Sequence, residues 1–286
     1  MNASRPQAVI WLASYPRSGN TFLRTLIANY FSGLERPLSL EELMLSTWGE
    51  HVEDIWQGIT GKNPVQRSHT DEFYARPAYF AQLRARIPNP LRLVKTHTPY
   101  VNMDGKPAFS FVPGDRLIHV IRHPCDVAIS FAHYFGIGLD EAIRRLTTRD
   151  TCHTGHPQMG HELIGSWSQH ARSWIGMREI PGFGIRYVDL ATRTAPVLAD
   201  IVRFLGHQPV PARIDAAIGF SRFERLRAQE NATGFVENAG RGGQSFFREG
   251  RPGQWQEVLS PAQAQRLFDA DPELIDRFAF ATDLAA

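Results

Sequence analysis

The segment Ser14-Tyr15-Pro16-Arg17-Ser18-Gly19-Asn20-Thr21 has the residue types of an anion cradle. Glycine and small polar residues let backbone N–H groups converge on a ligand, and a helix N-terminus that follows adds partial positive charge. Against the nucleotide-phosphate pattern G-x-x-x-x-G-K-[S/T], Ser14 stands at the first glycine, Gly19 and Thr21 are kept, and Asn20 replaces the lysine. That lysine reaches the outer phosphates of a triphosphate. Its loss, with Arg17 placed earlier in the loop, predicts a phosphate-like ligand but not the usual ATP chemistry. An ordinary strand-to-helix turn uses the same residue types.

Three other positions carry chemistry. His97 lies in Val94-Lys95-Thr96-His97-Thr98-Pro99, at the end of an apolar run. That end of a strand borders the ligand crevice of an open α/β sheet, and a histidine pKa near ~6.5 suits removal of a hydroxyl proton at neutral pH. The run 117–122 ends in Arg122, where Mg²⁺-dependent NTPases commonly place an aspartate for the metal. Arginine favours an anion there, although a plain ion pair with Asp126 is the alternative. The stretch 230–253 holds six glycines (234, 240, 242, 243, 250, 253) and several arginines without periodicity. A loop that long predicts a lid or a disordered segment.

These residues need a scaffold, and the hydropathy pattern predicts one. Apolar runs at 9–14, 91–95, 117–122 and 184–188 suit strands covered on both faces, as in a parallel sheet. Helix-spaced apolar residues follow Thr21 (Phe22, Leu23, Leu26, Ile27, Tyr30, Phe31) and Pro124 (Val127, Phe131, Phe135). A third helix is predicted over 163–175, and Ser260-Pro261 reads as a cap with proline in the first turn. Alternating strands and helices predict a doubly wound α/β sheet.

Taken in order, the four strings resemble those of the cytosolic PAPS-dependent sulfotransferase family, PAPS being 3′-phosphoadenosine-5′-phosphosulfate. Tyr15-Pro-Arg-Ser-Gly-Asn-Thr-Phe22 is similar to its 5′-phosphosulfate loop, Y-P-K-S-G-T-T-W. Val94 to Pro99 resembles V-K-T-H-x-P, whose histidine is the base. Arg122 to Ser130 resembles the 3′-phosphate site, and Phe246 to Trp255 resembles R-K-G-x-x-G-x-W. Gly165 to Trp174, Tyr187-Val-Asp189-Leu and Ser221-Arg-Phe223 are weaker likenesses in the same order.

The resemblance implies a single α/β domain over 1–286, P-loop NTPase-like, with a central parallel sheet flanked by helices and a lid at about 230–253. It implies transfer of a sulfuryl group from PAPS to a hydroxyl of a small-molecule acceptor (a phenol, alcohol or natural product), with PAP as product and no metal. His97 is then the base, and Arg17, Lys95 and the loop from Ser18 through Gly19 and Asn20 to Thr21 balance charge. Phe22 offers a face for adenine, which Tyr187, Ser221 and Phe223 frame. Arg122, Ser130, Arg248 and Gly250 hold the 3′-phosphate. Departures are Arg17 for lysine, Phe22 for tryptophan and Glu249 for a lysine of the fourth motif. The family's dimer segment is replaced at Gln256, Ser260-Pro261 and Gln265, so monomer and homodimer both stay open.

Composition narrows the partners. A net charge of +2 on 286 residues gives no concentrated basic footprint for nucleic acid or a membrane surface. The two cysteines, Cys125 and Cys152, form no C-x-x-C pair, no signal-peptide pattern precedes residue 9, and no apolar run approaches ~20 residues. A cytoplasmic protein is expected. Cys152, His153, His156 and His161 fit no familiar zinc spacing and read as a polar loop. Trp48, Trp56, Phe73, Tyr74, Tyr79 and Phe80 suit either an acceptor pocket or the core.

Overall fold

The computed structural model describes residues 7–149, 152–154, 161–238 and 245–280. In chain order, β1 (Ile10–Ser14) leads into α1 (Asn20–Ser32), then α2 (Leu40–Ser46), β2 (Thr47–Trp48), α3 (Glu53–Thr60), α4 (His69–Arg86) and β3 (Leu93–Thr96). A small antiparallel ladder of β4 (Asn102–Met103) and β5 (Lys106–Pro107) precedes β6 (Arg116–Ile121), α5 (Pro124–Phe135) and α6 (Leu139–Thr147). A second ladder, β7 (Cys152–Thr154) with β8 (His161–Leu163), precedes α7 (Trp167–Gly176) and β9 (Gly182–Arg186). Four helices follow: α8 (Tyr187–Thr192), α9 (Thr194–Phe204), α10 (Pro211–Phe220) and α11 (Phe223–Thr233). Short helices α12 (Trp255–Val258), α13 (Pro261–Asp269) and α14 (Pro272–Arg277) close the described chain.

Five strands form one sheet in the order β2-β3-β1-β6-β9, every neighbouring pair parallel. Alternate side chains go to opposite faces. Trp11, Ala13, Val94 and Leu117 pack with α3, α4 and the loop after β5, and the Trp11 ring meets Phe80 of α4 and Phe109 of that loop edge-on at 4.7 and 5.4 Å. Leu12, Leu93, Ile118 and Val120 pack against α1, α9 and α10. The sheet is thus covered on both faces, which is why its strands read as unbroken apolar runs.

The carboxylate of Asp115 ties the entry to β6 to its surroundings. It accepts hydrogen bonds from Val9 N, Trp11 Nε1 and Val112 N and a forked pair from Arg84 of α4, both at 2.7 Å.

The elements differ from the sequence expectation in three places. β9 stops at Arg186, the last residue in register with β6, and Tyr187 opens α8 instead of extending the strand. The helix predicted from 163 begins at Trp167, because Ser166 forms a reciprocal capping box with Gln169 and Leu163 belongs to β8. The stretch from Glu230 is not structureless: α11 continues to Thr233, and 236–238 form a 3₁₀ turn. Of its glycines, Gly240, Gly242 and Gly243 lie outside the described residues. Of the aromatics left between acceptor pocket and core, Trp56, Phe73, Tyr79 and Phe80 are core residues, Trp48 is half-buried, and Tyr74 is exposed. The cap at Ser260 with Pro261 in the first turn of α13 is as expected.

Among the described residues no helix is long and apolar enough to cross a membrane, and no group of three or more His, Cys, Asp or Glu side chains is placed to hold a metal. The side chains of Cys152, His153, His156 and His161 lie outside the described residues. Cys125 is buried and unbridged.

Candidate active site

The carboxyl ends of four adjacent strands carry the motifs. Across the sheet they run His97 after β3, the loop 15–19 after β1, Arg122 after β6 and Tyr187 after β9. Strands lie ~4.8 Å apart, so the ends of β3 and β6 are separated by about 10 Å with the loop between them.

The loop is shaped by two residues in the left-handed region, Arg17 at φ 66° and Gly19 at φ 101°. Arginine there is strained, and the fork of its side chain explains its seat. Nε donates to Ser130 Oγ (3.1 Å), Nη2 donates to the Phe246 carbonyl (3.1 Å), and the guanidinium lies over the Tyr134 and Phe246 rings. Arg17 therefore sits on the Ser130 side of the loop. Gly19 admits no side chain, since a Cβ would lie 2.3 Å from the Tyr187 ring. Asn20, at the lysine position of a nucleotide loop, turns inward and donates to Leu12 O (2.8 Å). Its backbone N–H, with those of Thr21 and Phe22, opens α1, where amides lack intrahelical partners. Ser18 Oγ is buried without a partner, so the cradle keeps an unused hydroxyl.

His97 is fixed through its own ring. Nδ1 lies 2.7 Å from the Ser14 carbonyl, which can only accept, so Nδ1 carries the proton and Nε2 keeps a lone pair. Surrounding protein and the nearby Lys95 charge lower the imidazole pKa from its ordinary value to about 3. This corrects the expectation of a value near the free histidine's: the ring is a neutral base throughout the physiological range. On either side of it, Thr96 Oγ1 and Thr98 Oγ1 donate to the Glu50 carboxylate, which Arg76 neutralises.

The third and fourth motifs meet on the other flank. Arg122 donates to the Arg17 carbonyl (3.0 Å) and lies 4.6 Å over the Tyr187 ring, with its Nε buried and unpartnered. It is not paired with Asp126, whose carboxylate accepts from Gly253 N and Trp255 N. Tyr187 Oη donates to Gly250 O (2.6 Å), and a Cβ on Gly250 would lie 2.8 Å from the Phe223 ring. Arg248 bonds Gln254 and pairs with Glu249 at 3.2 Å, so the acid in place of a lysine takes up part of that cation. Ser221 is fully buried and accepts from Asn29 Nδ2, and Phe22 packs with the α1 core layer. The tryptophans of α7 fasten two motifs from behind, Trp167 Nε1 to Arg122 O and Trp174 Nε1 to Thr98 O.

The profile of the sulfotransferase domain matches residues 7–276. The chain belongs to the sulfotransferase-domain family. It is 28% identical to sulfotransferase 2A2 of Mus musculus over 177 residues, which cover 61% of this chain and 60% of that protein. It is also 28% identical to the 3-beta-hydroxysteroid sulfotransferase of Cavia porcellus over 174 residues, 60% of each chain. The alignments thus span about three-fifths of the curated relatives. The fold is similar to that of mouse sulfotransferase SULT7A1, solved with PAP, at a TM-score of 0.64 and 17% identity over 98% of this chain and 89% of that one. Retinol dehydratase in complex with androsterone and inactive cofactor PAP gives 0.62 and 17% over 95% of this chain and 81% of its own.

Within this sulfotransferase domain, several polar groups at the site had no motif to announce them. Arg24 on α1, Glu237 in the 3₁₀ turn, and the Glu50–Arg76 pair are such residues. Glu230 is another: its buried carboxylate accepts from Asn238 Nδ2, Ser245 Oγ, Phe246 N and Phe247 N, pinning the chain that leads to the fourth motif. The only sequence signal was charge at positions otherwise helical or glycine-rich.

Buried histidines predict an acid lability of the domain. Burial lowers His119 and His123 to about 4, and burial with the neighbouring His119 and His97 holds His170 well below its ordinary value. Their folded pKa values lie below the unfolded ~6.5, so between ~6.5 and ~4 the unfolded chain binds more protons. Stability should fall as pH drops through that window, by up to ~1.4 kcal/mol per pH unit for each imidazole kept neutral. Melting curves from pH 7.5 to 5 test this. His119→Gln should flatten the slope, and a melting temperature that is flat over the range would contradict it.

Proposed function

We propose that the chain transfers a sulfuryl group from PAPS to the hydroxyl of a small-molecule acceptor. The observation that carries this reading is His97, a neutral imidazole with a free Nε2 one strand away from a loop with an unused buried hydroxyl. The acceptor oxygen attacks sulfur as its proton passes to Nε2. An O–S bond forms, the S–O bond to the 5′-phosphate breaks, and the electron pair stays on that phosphate, leaving PAP. Lys95 and the amides of Ser18 to Thr21 balance charge on the transferring group and leaving phosphate. Arg122, Ser130, Arg248 and Gly250 hold the 3′-phosphate. Arg17, bonded to Ser130 and packed between aromatic rings, acts between these two regions. Phe22, Tyr187, Ser221 and Phe223 frame the adenine. The steroid in the name of one relative makes hydroxysteroids the first acceptors to try beside phenols and simple alcohols.

The test is acceptor-dependent release of PAP and a sulfated product from labelled PAPS. Mg²⁺–ATP raising the melting temperature more than PAP does would overturn the reading. A second expectation follows from the unpartnered Nε of Arg122. Adenosine-5′-phosphosulfate, without the 3′-phosphate, should bind about tenfold more weakly than PAPS, or weaker still. Calorimetry giving equal affinities would remove Arg122 and Arg248 from the donor site.

A further inference from the structure

Glu237 places a carboxylate among the cations expected to meet the donor. Its Oε2 lies 2.6 Å from Arg24 Nη2 and accepts from Thr21 Oγ1 at 3.4 Å, and its Oε1 accepts from Lys95 Nζ at 2.9 Å. The three charged side chains are largely enclosed: Arg24 is 2% exposed, and the side chains of Lys95 and Glu237 are 13% exposed. Burial opposes the charge on Glu237, but Arg24 and Lys95 outweigh it and hold the carboxyl well below the ordinary range. One carboxylate faces two cations, and Arg24 Nε is buried with no partner. The cluster therefore has more donor capacity and positive charge than Glu237 satisfies.

The backbone and side chain of Glu237 are held differently. Tyr134 Oη donates to the Glu237 carbonyl at 2.9 Å, attaching the turn to α5. The carboxylate reaches the cations through rotatable bonds, so it can leave without moving the turn.

We propose that Glu237 is a tethered anion occupying the 5′-phosphosulfate position, and that Arg24 is a further donor-binding residue that the incoming phosphate takes over with Lys95 and Thr21. This rests on the PAPS reading above. The phosphosulfate of PAPS, with its two charges, or the dianionic 5′-phosphate of PAP satisfies the two cations better than one carboxylate, while displacing Glu237 costs part of the donor's intrinsic affinity. The apparent dissociation constant is raised by the fraction of molecules in which Glu237 holds the site.

PAP titration of the full chain tests this. Glu237→Gln, the same shape without the charge, should tighten PAP by about tenfold. Glu237→Asp, which keeps the charge but draws it back from Lys95, should tighten it less. In the Glu237→Gln background, adding Arg24→Gln should weaken PAP by about tenfold, the scale of one charge-assisted contact. Equal or weaker PAP binding by both Glu237 variants overturns the tethered-anion role and leaves Glu237 a structural staple. No change on adding Arg24→Gln overturns the assignment of Arg24. Failure of the unaltered protein to bind PAP defeats the donor reading itself, and this inference with it.

Discussion

Replacing His97 with alanine is expected to lower turnover by ~10²–10⁴, the range for loss of a general base, while PAP affinity stays within a few fold. The reason is geometric. His97 spends Nδ1–H on the Ser14 carbonyl and leaves Nε2 for the acceptor of the proposed reaction, and none of its hydrogen bonds involves the loop amides or Arg122. With the imidazole held to about 3, its protonation should leave no acid limb in the rate above about pH 5. Paired turnover assays and PAP titrations on folded proteins measure both effects. A variant that keeps more than about a tenth of the activity, outside the expected range, would move the base to another residue. Loss of PAP binding in parallel would make His97 a structural group.

The second large effect concerns stability. Asp115 is 1% exposed and satisfies Arg84, Val9, Trp11 and Val112 at once. Asp115→Ala strands the buried Arg84 guanidinium without its counter-ion. Breaking a buried pair in this way costs ~3–5 kcal/mol, read as a lowered urea midpoint at unchanged slope. Pairing it with Arg84→Met should recover part of the loss, because no charge is then left uncompensated. A cost below ~1 kcal/mol, typical of a surface pair, would show that water reaches the pair and that the β1–α4–β6 junction is not held by it.

The sheet and the candidate site were not equally legible. Four of the five strands of the main sheet showed as apolar runs because burial on both faces removes alternation. β2, two residues long, leaves no such run. α4 was hidden by polarity, since buried Glu72, Arg76 and Arg84 interrupt its apolar face. Tyr187 read as strand because its ring is apolar, yet the ladder had run out at Arg186. Motif strings located the loop, His97, Arg122 and the fourth motif, because their chemistry fixes local order. Arg24 and Glu237 were invisible for the opposite reason. Their meaning lies in a contact between residues more than two hundred positions apart, and nothing local distinguishes Arg24 from any helical arginine.

That Arg17 bonds the carbonyl of Phe246, 229 positions later, also sets a timetable for the chain as it is made. At ~5–20 residues per second, the loop leaves the ribosome about 10–50 s before the segment that seats its arginine. For about the first three-quarters of that interval Tyr187 is not yet there to meet Gly19, and throughout it Gly250, which meets Tyr187, is still missing. On the proposed function, donor binding would therefore be among the last properties a nascent chain acquires, and a PAP analogue immobilised on beads should retain finished molecules and let stalled ones pass.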